Sequence, residues 1–328
     1  MSKIKFSQNE DDEIKIGGLG LLNQTDDFLT FLNNSKKITI KDAASGLLGI
    51  SSFDSKIKLE EEITSLKKQL SEAIKDGKNN TKKKELELYQ LQEELKQKEK
   101  INHILPRIHE KAREKLIQDD KFKDEFKDSR ICEAVVISID IRRSTELMLK
   151  ARKPELFSEF VTELTSELSN AVIRNYGVFD KFTGDGILAF FPKFYSGESA
   201  ILRAIKAANE CHQVFTNHYQ NCRKNFNVFI KDIGLGIGMD FGEVSLVNSR
   251  NELTVVGIPV VYACRMSSAK AGDTLLNQPA LEELERQSLN EVKIIESEIQ
   301  IKNEGSALAF KVEILRELKD LKKPSWID

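Results

Sequence analysis

The sequence predicts an α/β domain with the element order β-α-β-β-α-β, preceded by a helical region. Three observations support this prediction. The run EAVVISIDI (133–141) is rich in β-branched residues, as buried central strands are. An amphipathic stretch (154–177) predicts a long helix that ends at Gly177. The stretch VFDKFTGDGILAFF (178–191) then predicts a hairpin with a Gly-flanked turn. This order is typical of a ferredoxin-like sandwich.

The remaining elements of the domain follow from the same patterns. A second amphipathic helix is expected at 198–222, and two strands at 228–247 around a turn at Asp240–Gly242. Short helices are expected at 261–270 and 280–287, and a terminal hairpin at 292–315. We expect residues 129–316 to form one domain, with 317–328 as a C-terminal tail.

Residues 56–105 predict two amphipathic helices with a coiled-coil seam. DGKNNT (76–81) separates them as a loop. The region could form a helical hairpin or a broken parallel coiled coil, and the regular seam favours a second copy of the chain as its partner. We assign 56–128 to dimerisation and linkage. The stripe consists of Ile63, Leu66, Leu70, Ala73, Leu88, Leu91, Leu95, Asn102 and Leu105.

Two further stretches precede the domain. Pro106 restarts a helix, PRIHEKAREKLIQ, that leads into it. Residues 1–55 have no assigned role. Within them KKITIKD (36–42) is compatible with a short strand, and AASGLLGISSF (43–53) with a core helix or a segment that docks on a partner.

Composition excludes several classes of protein. Lys plus Arg number 50 and Asp plus Glu 52, so the charge balance disfavours a nucleic-acid binder. The four cysteines form no C-x-x-C pair and the four histidines form no zinc signature, which fits the reduced cytosol. The N-terminus lacks the apolar run of a signal peptide, and no stretch is long enough to span a membrane. We expect a cytoplasmic protein.

Two acids lie at strand ends. Asp140 ends the first strand and Asp185 stands at the tip of the hairpin. In a β-α-β-β fold the first strand lies beside the hairpin, so the two carboxylates can meet. Paired carboxylates hold magnesium or manganese together with a phosphate chain. Two unrelated turn acids would give the same pattern.

Three motifs, in order, resemble those of class III nucleotidyl cyclases. DIRRST (140–145) resembles D-I-x-G-F-T, and DKFTGDG (180–186) resembles D-K-x-x-G-D-x. TVVGIPVVYACRM (254–266) resembles T-V-x-G-x-x-V-N-x-A-x-R. LPRIHEKARE (105–114) is similar to the helix that leads into bacterial members. The resemblance covers residues 105–315.

The resemblance implies cyclisation of a ribonucleoside triphosphate to a 3′,5′-cyclic monophosphate with release of pyrophosphate. It implies two Mg²⁺ or Mn²⁺ ions per site, held by Asp140, Asp185 and the backbone carbonyl of Ile141. It implies a homodimer whose sites are shared, one subunit supplying the aspartates and the other the arginine.

The resemblance also implies the nucleotide contacts. Arg265 matches the arginine that stabilises the transition state, and Lys302 resembles a late triphosphate lysine. Lys181 and Thr254 face the nucleotide pocket. The backbone amides from Arg142 to Thr145, including Ser144, open a helix and bind phosphate.

Departures from the motifs suggest an unusual base. Val261 replaces the family asparagine, Arg143 the glycine, Ser144 the aromatic residue, and Ile258 the polar residue after Gly257. In these departures the chain resembles the pyrimidine cyclases of bacterial Pycsar anti-phage systems, which make cyclic CMP or cyclic UMP. Strand alternation predicts that Phe179 shares a face with Lys181 and shortens the base pocket.

Three functional hypotheses follow. The first is a pyrimidine nucleotide cyclase, with CTP favoured over UTP. The second is an adenylate cyclase in which Lys181 and Thr254 read adenine. The third is a degenerate module that binds nucleotide or dimerises without turnover, which the retained aspartates and arginine disfavour.

Overall fold

The structure is a computed structural model. It describes residues 59–69, 89–92, 94–95, 98–99, 101–249, 252–287, 291–301, 305–318 and 321–327. All of them belong to one unit of the chain, Ala43–Asp328. The sequence predictions for residues 1–55 lie outside the described residues.

The domain follows two short helices. A 3₁₀ turn (Leu105–Arg107) precedes α1 (Glu110–Gln118) and α2 (Asp120–Asp124), so the helix predicted to begin at Pro106 is broken at Ile108 and His109. The domain itself then comprises β1 (Ile131–Arg142), α3 (Ser144–Lys150), α4 (Pro154–Arg174), β2 (Val178–Phe182), β3 (Ile187–Pro192), α5 (Lys193–Ser196), α6 (Ala200–Asn221), β4 (Gly234–Ser249), β5 (Glu252–Val256), α7 (Ile258–Met266), β6 (Thr274–Leu276), α8 (Gln278–Glu285), β7 (Val292–Ile301) and β8 (Gly305–Ile314).

The described strands form one sheet of eight. Their order is β2-β3-β1-β4-β6-β8-β7, and β5 pairs with β4 outside this path. The first four strands have the ferredoxin-like arrangement, with β1 antiparallel to both β3 and β4. The predicted fold class is therefore confirmed.

Alternation along β1 gives the sheet two buried faces. Ile137, Ile139 and Ile141 pack with α4 and α6 into one cluster, which we call the helix-side core. Ala134 and Val136 point the other way, into a cluster with α1, α2 and Ala263, which we call the opposite core. The side chain of Asp140 follows the second set, so it lies on the sheet face opposite α4 and α6.

One predicted turn is wrong. The chain does not reverse at Asp240–Gly242 but continues through it as β4, and the partner strand β5 begins only at Glu252. Asp240 is tolerated inside the strand because its buried carboxylate accepts a hydrogen bond from the backbone N–H of Phe241 at 2.9 Å. Burial raises the pKa of Asp240 to about 6.

The two helical stretches before the domain contact each other within one chain. Lys98 pairs with Glu62, and the Nζ of Lys67 lies 2.7 Å from the carboxylate of Glu99. Contacts within one chain favour the helical hairpin over the broken parallel coiled coil. Ile63 is buried in the opposite core, so this part of the predicted seam is covered by the same chain. Leu70, Ala73 and Leu88 lie outside the described residues.

The C-terminal residues pack onto the domain. The Trp326 ring is buried and stacks on Tyr195, with ring centroids 5.4 Å apart. Its Nε1 donates to the carbonyl of Tyr195 at 2.6 Å, and its own carbonyl accepts from Lys115 of α1. Part of the predicted tail therefore joins α1 to the domain. In the described part of the chain, every helix is too short or too polar to cross a membrane.

We expect Trp326→Ala to lower the free energy of unfolding by about 3–5 kcal/mol, because it empties a large buried site. Trp326→Phe keeps a ring on Tyr195 and loses the indole hydrogen bond, so it should cost less, about 1 kcal/mol for the bond. Urea unfolding of the full chain measures both. Equal stability of Trp326→Ala and the wild-type protein would contradict this packing.

Candidate active site

The hairpin turn brings the two predicted metal ligands together. β3 pairs with β1 so that Ile187 lies opposite Ile139, and the turn is closed by a 2.9 Å hydrogen bond from Thr183 N–H to the Gly186 carbonyl. In this antiparallel register the residue after Ile139, Asp140, comes level with Gly186 and so lies close to Asp185, whose charge acts on it. A Cβ on Gly186 would lie only 2.0 Å from the carbonyl oxygen of Ile139, so this approach requires glycine.

The electrostatics of Asp140 fit a cation site. Burial and then the charge of Asp185 raise the pKa of Asp140 to about 6. Arg142 opposes this shift through a 3.0 Å ion pair with the Asp140 carboxylate. Two half-buried carboxylates that repel each other are the oxygen donors that Mg²⁺ or Mn²⁺ bind. The donor set therefore fits the divalent metals. The Ile141 side chain is buried in the helix-side core, and the role of its backbone carbonyl as a third ligand stays a prediction.

The turn into α3 takes an unusual conformation. Arg143, at the position of the family glycine, has φ 63° and ψ 28° in the left-handed region. Its guanidinium binds Glu146 and the carbonyl of Lys231. α3 then begins at Ser144 without a side-chain cap, and Thr145 is exposed. Phosphate binding by these amides remains a prediction.

The predicted alternation along β2 is wrong. The register shifts between Phe179 and Lys181, so that Phe179 lies opposite Ala189 and Lys181 opposite Leu188. Ala189 belongs to the helix-side core and Leu188 to the opposite core. The bulge at Asp180 thus puts Phe179 and Lys181 on different faces.

Phe179 consequently packs away from Lys181. It lies against the helix-side core, and its ring centroid is 4.9 Å from that of Phe182. Its predicted place as a wall of the base pocket, on the same face as Lys181, is not supported by the structure. No local sequence pattern indicated this bulge.

Asp180 contacts two of the predicted site residues, and the sequence prediction did not single it out. It is 1% exposed, and its Oδ2 accepts from the Thr254 hydroxyl at 2.7 Å and from the Val255 N–H at 3.4 Å. Burial raises the pKa of Asp180, while Thr254 and then Lys181, whose Nζ lies 3.9 Å from Oδ1, lower it. Asp180 therefore connects two residues predicted to contact the nucleotide.

Arg107 extends this connection to the segment before the domain. Its Nη1 donates to the backbone carbonyls of Asp180 and, at 3.0 Å, Leu253. Burial lowers the pKa of Arg107, and the nearby carboxylate of Asp180 acts in the opposite direction. Its position within LPRIHEKARE, just before the domain, was the available sequence signal.

Helix α7 carries Arg265 close to the sheet. A Cβ on Gly238 would lie 2.2 Å from the Ala263 carbonyl, and one on Gly236 2.4 Å from the Ser267 carbonyl. Alternate glycines on β4 thus let α7 and the turn after it approach the backbone, and this i, i+2 spacing was readable in GLGIG. Arg265 is half-buried, with its guanidinium 5.1 Å from the Tyr262 ring centroid.

Apolar side chains are exposed around Arg265. Val261, at the position of the family asparagine, is 47% exposed, and Ile258 and Val256 are 71% and 59% exposed. Such a group is more apolar than an ordinary surface and suits contact with another protein surface. Lys302 lies outside the described residues.

The fold has counterparts among solved structures. No family model matches the chain, and no curated protein matches it. The crystal structure of the adenylyl cyclase CyaB from P. aeruginosa is 20% identical, with a TM-score of 0.50, over 60% of this chain and 100% of that one. The guanylyl cyclase Cya2 gives the same identity, score and coverage.

We expect Asp185→Asn to lower the pKa of Asp140 in metal-free protein, because the substitution removes a repelling charge. Arg142→Gln should raise it, because an attracting charge is lost. Carboxyl NMR titration measures both shifts, and an unchanged Asp140 pKa in Asp185→Asn would contradict the proximity of the two acids.

The same group affects stability. A folded pKa of about 6 against an ordinary 3.8 means that the folded state binds this proton more tightly than the unfolded state. The contribution of Asp140 to the free energy of unfolding therefore falls as pH rises from about 4 to about 6 without metal.

The domain carries two acids at its strand ends, a hairpin beside β1 and a helix, α7, packed closely on β4. It has the fold of the class III nucleotidyl cyclases.

Proposed function

We propose that this protein is a nucleotidyl cyclase that converts a pyrimidine ribonucleoside triphosphate, CTP in preference to UTP, to its 3′,5′-cyclic monophosphate and pyrophosphate. The observation that carries the proposal is the placement of Asp185 beside Asp140 on a fold of this class. Because the chain resembles the Pycsar cyclases, we propose that its product serves as a second messenger in cytoplasmic anti-phage defence.

The reaction is an intramolecular substitution that needs no oxidant or second reactant. The substrate 3′-oxygen forms a bond to the α-phosphorus, the bond from that phosphorus to the bridging oxygen breaks, and pyrophosphate leaves. The hydroxyl proton passes to solvent. Two divalent ions held by Asp140, Asp185 and the Ile141 carbonyl would lower the pKa of the 3′-hydroxyl and neutralise the triphosphate.

The protein's own groups act on charge and position. Arg265 of a second subunit would stabilise the negative charge that develops on the phosphate oxygens, as a fixed donor does in a site shielded from water. Lys302 would add a positive charge toward the triphosphate, and the amides of Ser144 and Thr145 would bind its oxygens. Metal binding to Asp140 would replace the ion pair between this carboxylate and Arg142.

A shared site is supported by the surroundings of Arg265. The exposed Ile258 and Val261 lie on α7 with the arginine, and the exposed Val256 ends the strand just before it, where a second copy would cover all three. Burial of such side chains contributes about 25 cal/mol per Å² of apolar surface. We therefore propose a homodimer in which each site takes its aspartates from one subunit and its arginine from the other.

The hydrogen bond between Thr254 and Asp180 supports the choice of base. The Thr254 hydroxyl gives its hydrogen to Asp180, so only its oxygen lone pairs remain for a ligand. An oxygen of this kind accepts from an exocyclic amine. Cytosine carries one at position 4, where uracil carries a carbonyl oxygen that would face Thr254 without a hydrogen between them. Lys181 would donate to the adjacent ring nitrogen.

This contact favours CTP over UTP but fits adenine equally well, because adenine also carries an amine beside a ring nitrogen. Adenylate cyclase activity is therefore the second candidate. Departures from the family motif favour the pyrimidine: Val261 lacks the asparagine amide, and Ser144 replaces an aromatic residue. Phe179 contributes nothing to this choice.

The purified chain, incubated with each of the four ribonucleoside triphosphates and Mn²⁺, should give cyclic CMP fastest, as identified by mass. Faster formation of cyclic AMP would refute the pyrimidine proposal and establish the second candidate. Equal rates with CTP and UTP would refute the role of Thr254. The absence of every cyclic product would refute the cyclase proposal as a whole.

We expect Asp140→Ala and Asp185→Ala each to lower turnover at least about 100-fold, because each removes a metal ligand. Asp124→Ala, a surface carboxylate on α2, is the control and should retain wild-type turnover. Unfolding curves check that the variants fold. Turnover near the wild-type rate in either active-site variant would exclude two-metal catalysis by these residues.

Mixing inactive Asp185→Ala with inactive Arg265→Ala should restore up to about a quarter of the wild-type rate, since half of randomly mixed dimers contain one intact site of two. Mixing Asp140→Ala with Asp185→Ala is the control and should restore nothing, because each site then lacks one aspartate. Failure of the first pair, in a mixture shown to exchange subunits, would argue for sites within one subunit.

A further inference from the structure

A second group of metal-ligating side chains lies between the two long helices. Glu163 projects from α4, His218 lies in the last turn of α6, and Cys222 directly follows that helix. One ligand atom from each lies within 4.8 Å of the other two. These helices cover the helix-side core, whereas Asp140 faces the other side of the sheet, so the group is separate from the candidate active site.

The spacing of these atoms suits a tetrahedral metal. The Cys222 Sγ lies 3.9 Å from the His218 Nε2. A zinc ion bonded to nitrogen at about 2.0 Å and to sulfur at about 2.3 Å holds the two atoms about 3.5 Å apart. A small inward movement of the two side chains would therefore complete the geometry, and the exposed Glu163 leaves an approach from solvent.

The charges around Cys222 favour a cation. Glu159, Glu163 and Glu167 follow one another at every fourth position of α4 and, after burial, raise the pKa of the Cys222 thiol; only Lys224 lowers it. A thiol held protonated by neighbouring carboxylates gives up its proton when a divalent ion replaces it.

His218 is held in place by its surroundings. It is 6% exposed, its ring lies 4.8 Å from that of Phe160, and its Nε2 lies 3.0 Å from the Phe160 carbonyl. That carbonyl is inside α4, where the helix supplies a backbone donor of its own. Nε2 carries the hydrogen in this bond, so metal binding requires that the hydrogen move to Nδ1, which leaves a lone pair on Nε2 for the ion. Loss of the histidine hydrogen bond would leave no unsatisfied carbonyl, because the helix donor to Phe160 remains.

We propose that Glu163, His218 and Cys222 bind one transition-metal ion of the Zn²⁺ type, with water as its fourth ligand. Nitrogen and sulfur donors select such an ion over the oxygen-seeking Mg²⁺. The ion would join α4 to the end of α6 and stabilise the helix layer.

Cobalt(II) provides a direct test, because a bond between this ion and a thiolate gives a charge-transfer absorption band. The full chain, stripped of metal by a chelator and kept reduced in excess Mg²⁺, is titrated with Co²⁺ and then with Zn²⁺. We expect the band to saturate at one equivalent and to disappear on addition of Zn²⁺. Zn²⁺ should also raise the unfolding temperature.

Two pairs of variants identify the ligands. Cys222→Ser should abolish the band, whereas Cys264→Ser, which removes an exposed cysteine on α7, should keep it. Glu163→Gln should weaken Co²⁺ binding at least about tenfold, whereas Glu167→Gln, one turn away on the same helix, should change it less. No stoichiometric band in the wild-type chain, or an unchanged band in Cys222→Ser, would overturn the proposal. Neither readout depends on cyclase activity.

Discussion

The contact between Gly186 and the Ile139 carbonyl is the constraint on which the candidate active site depends. A side chain at position 186 would meet that carbonyl at 2.0 Å, so only glycine lets the hairpin turn lie against β1. The turn then places Asp185 where its charge raises the pKa of Asp140. A site that holds two carboxylates in mutual repulsion is unfavourable by itself, and divalent cations relieve that repulsion. The backbone approach at Gly186 therefore holds the two cation-binding carboxylates close together.

Asp180, within β2 of the same hairpin, orients a second part of the candidate site. It is the extra residue of the bulge, and its carboxylate fixes the direction of the Thr254 hydroxyl. Its backbone carbonyl accepts from Arg107, which precedes the domain. A movement of the segment around Arg107 would therefore move the edge strand β2, which carries Lys181, directly through this hydrogen bond.

Much of the fold could be predicted from sequence because its signals are local. The β-branched run of β1, the apolar stripes of α4 and α6, and the glycines of the 183–186 turn each specify their own element. The bulge at Asp180 could not be predicted, since it depends on pairing with β3 and on acceptance of hydrogen bonds from β5. The prediction of a turn at Asp240–Gly242 was wrong for a related reason. Asp-x-Gly is a turn pattern by composition, but the buried Asp240 carboxylate accepts a hydrogen bond from the backbone N–H of Phe241 within β4.

The meeting of Asp140 and Asp185 could be predicted from the strand order, whereas Arg265 could be located only as a motif position, because no local pattern says what it faces. The structure accounts for the acidic pair within one chain, through the register of β1 and β3. Arg265 has a different setting, on a helix held against β4 by glycines and surrounded by exposed Val256, Ile258 and Val261. Those side chains are about half or more exposed in the single chain, and a second copy would bury them. In the proposed homodimer this apolar surface would couple association to completion of the site, since the aspartates of a dilute monomer would lack the partner subunit's Arg265.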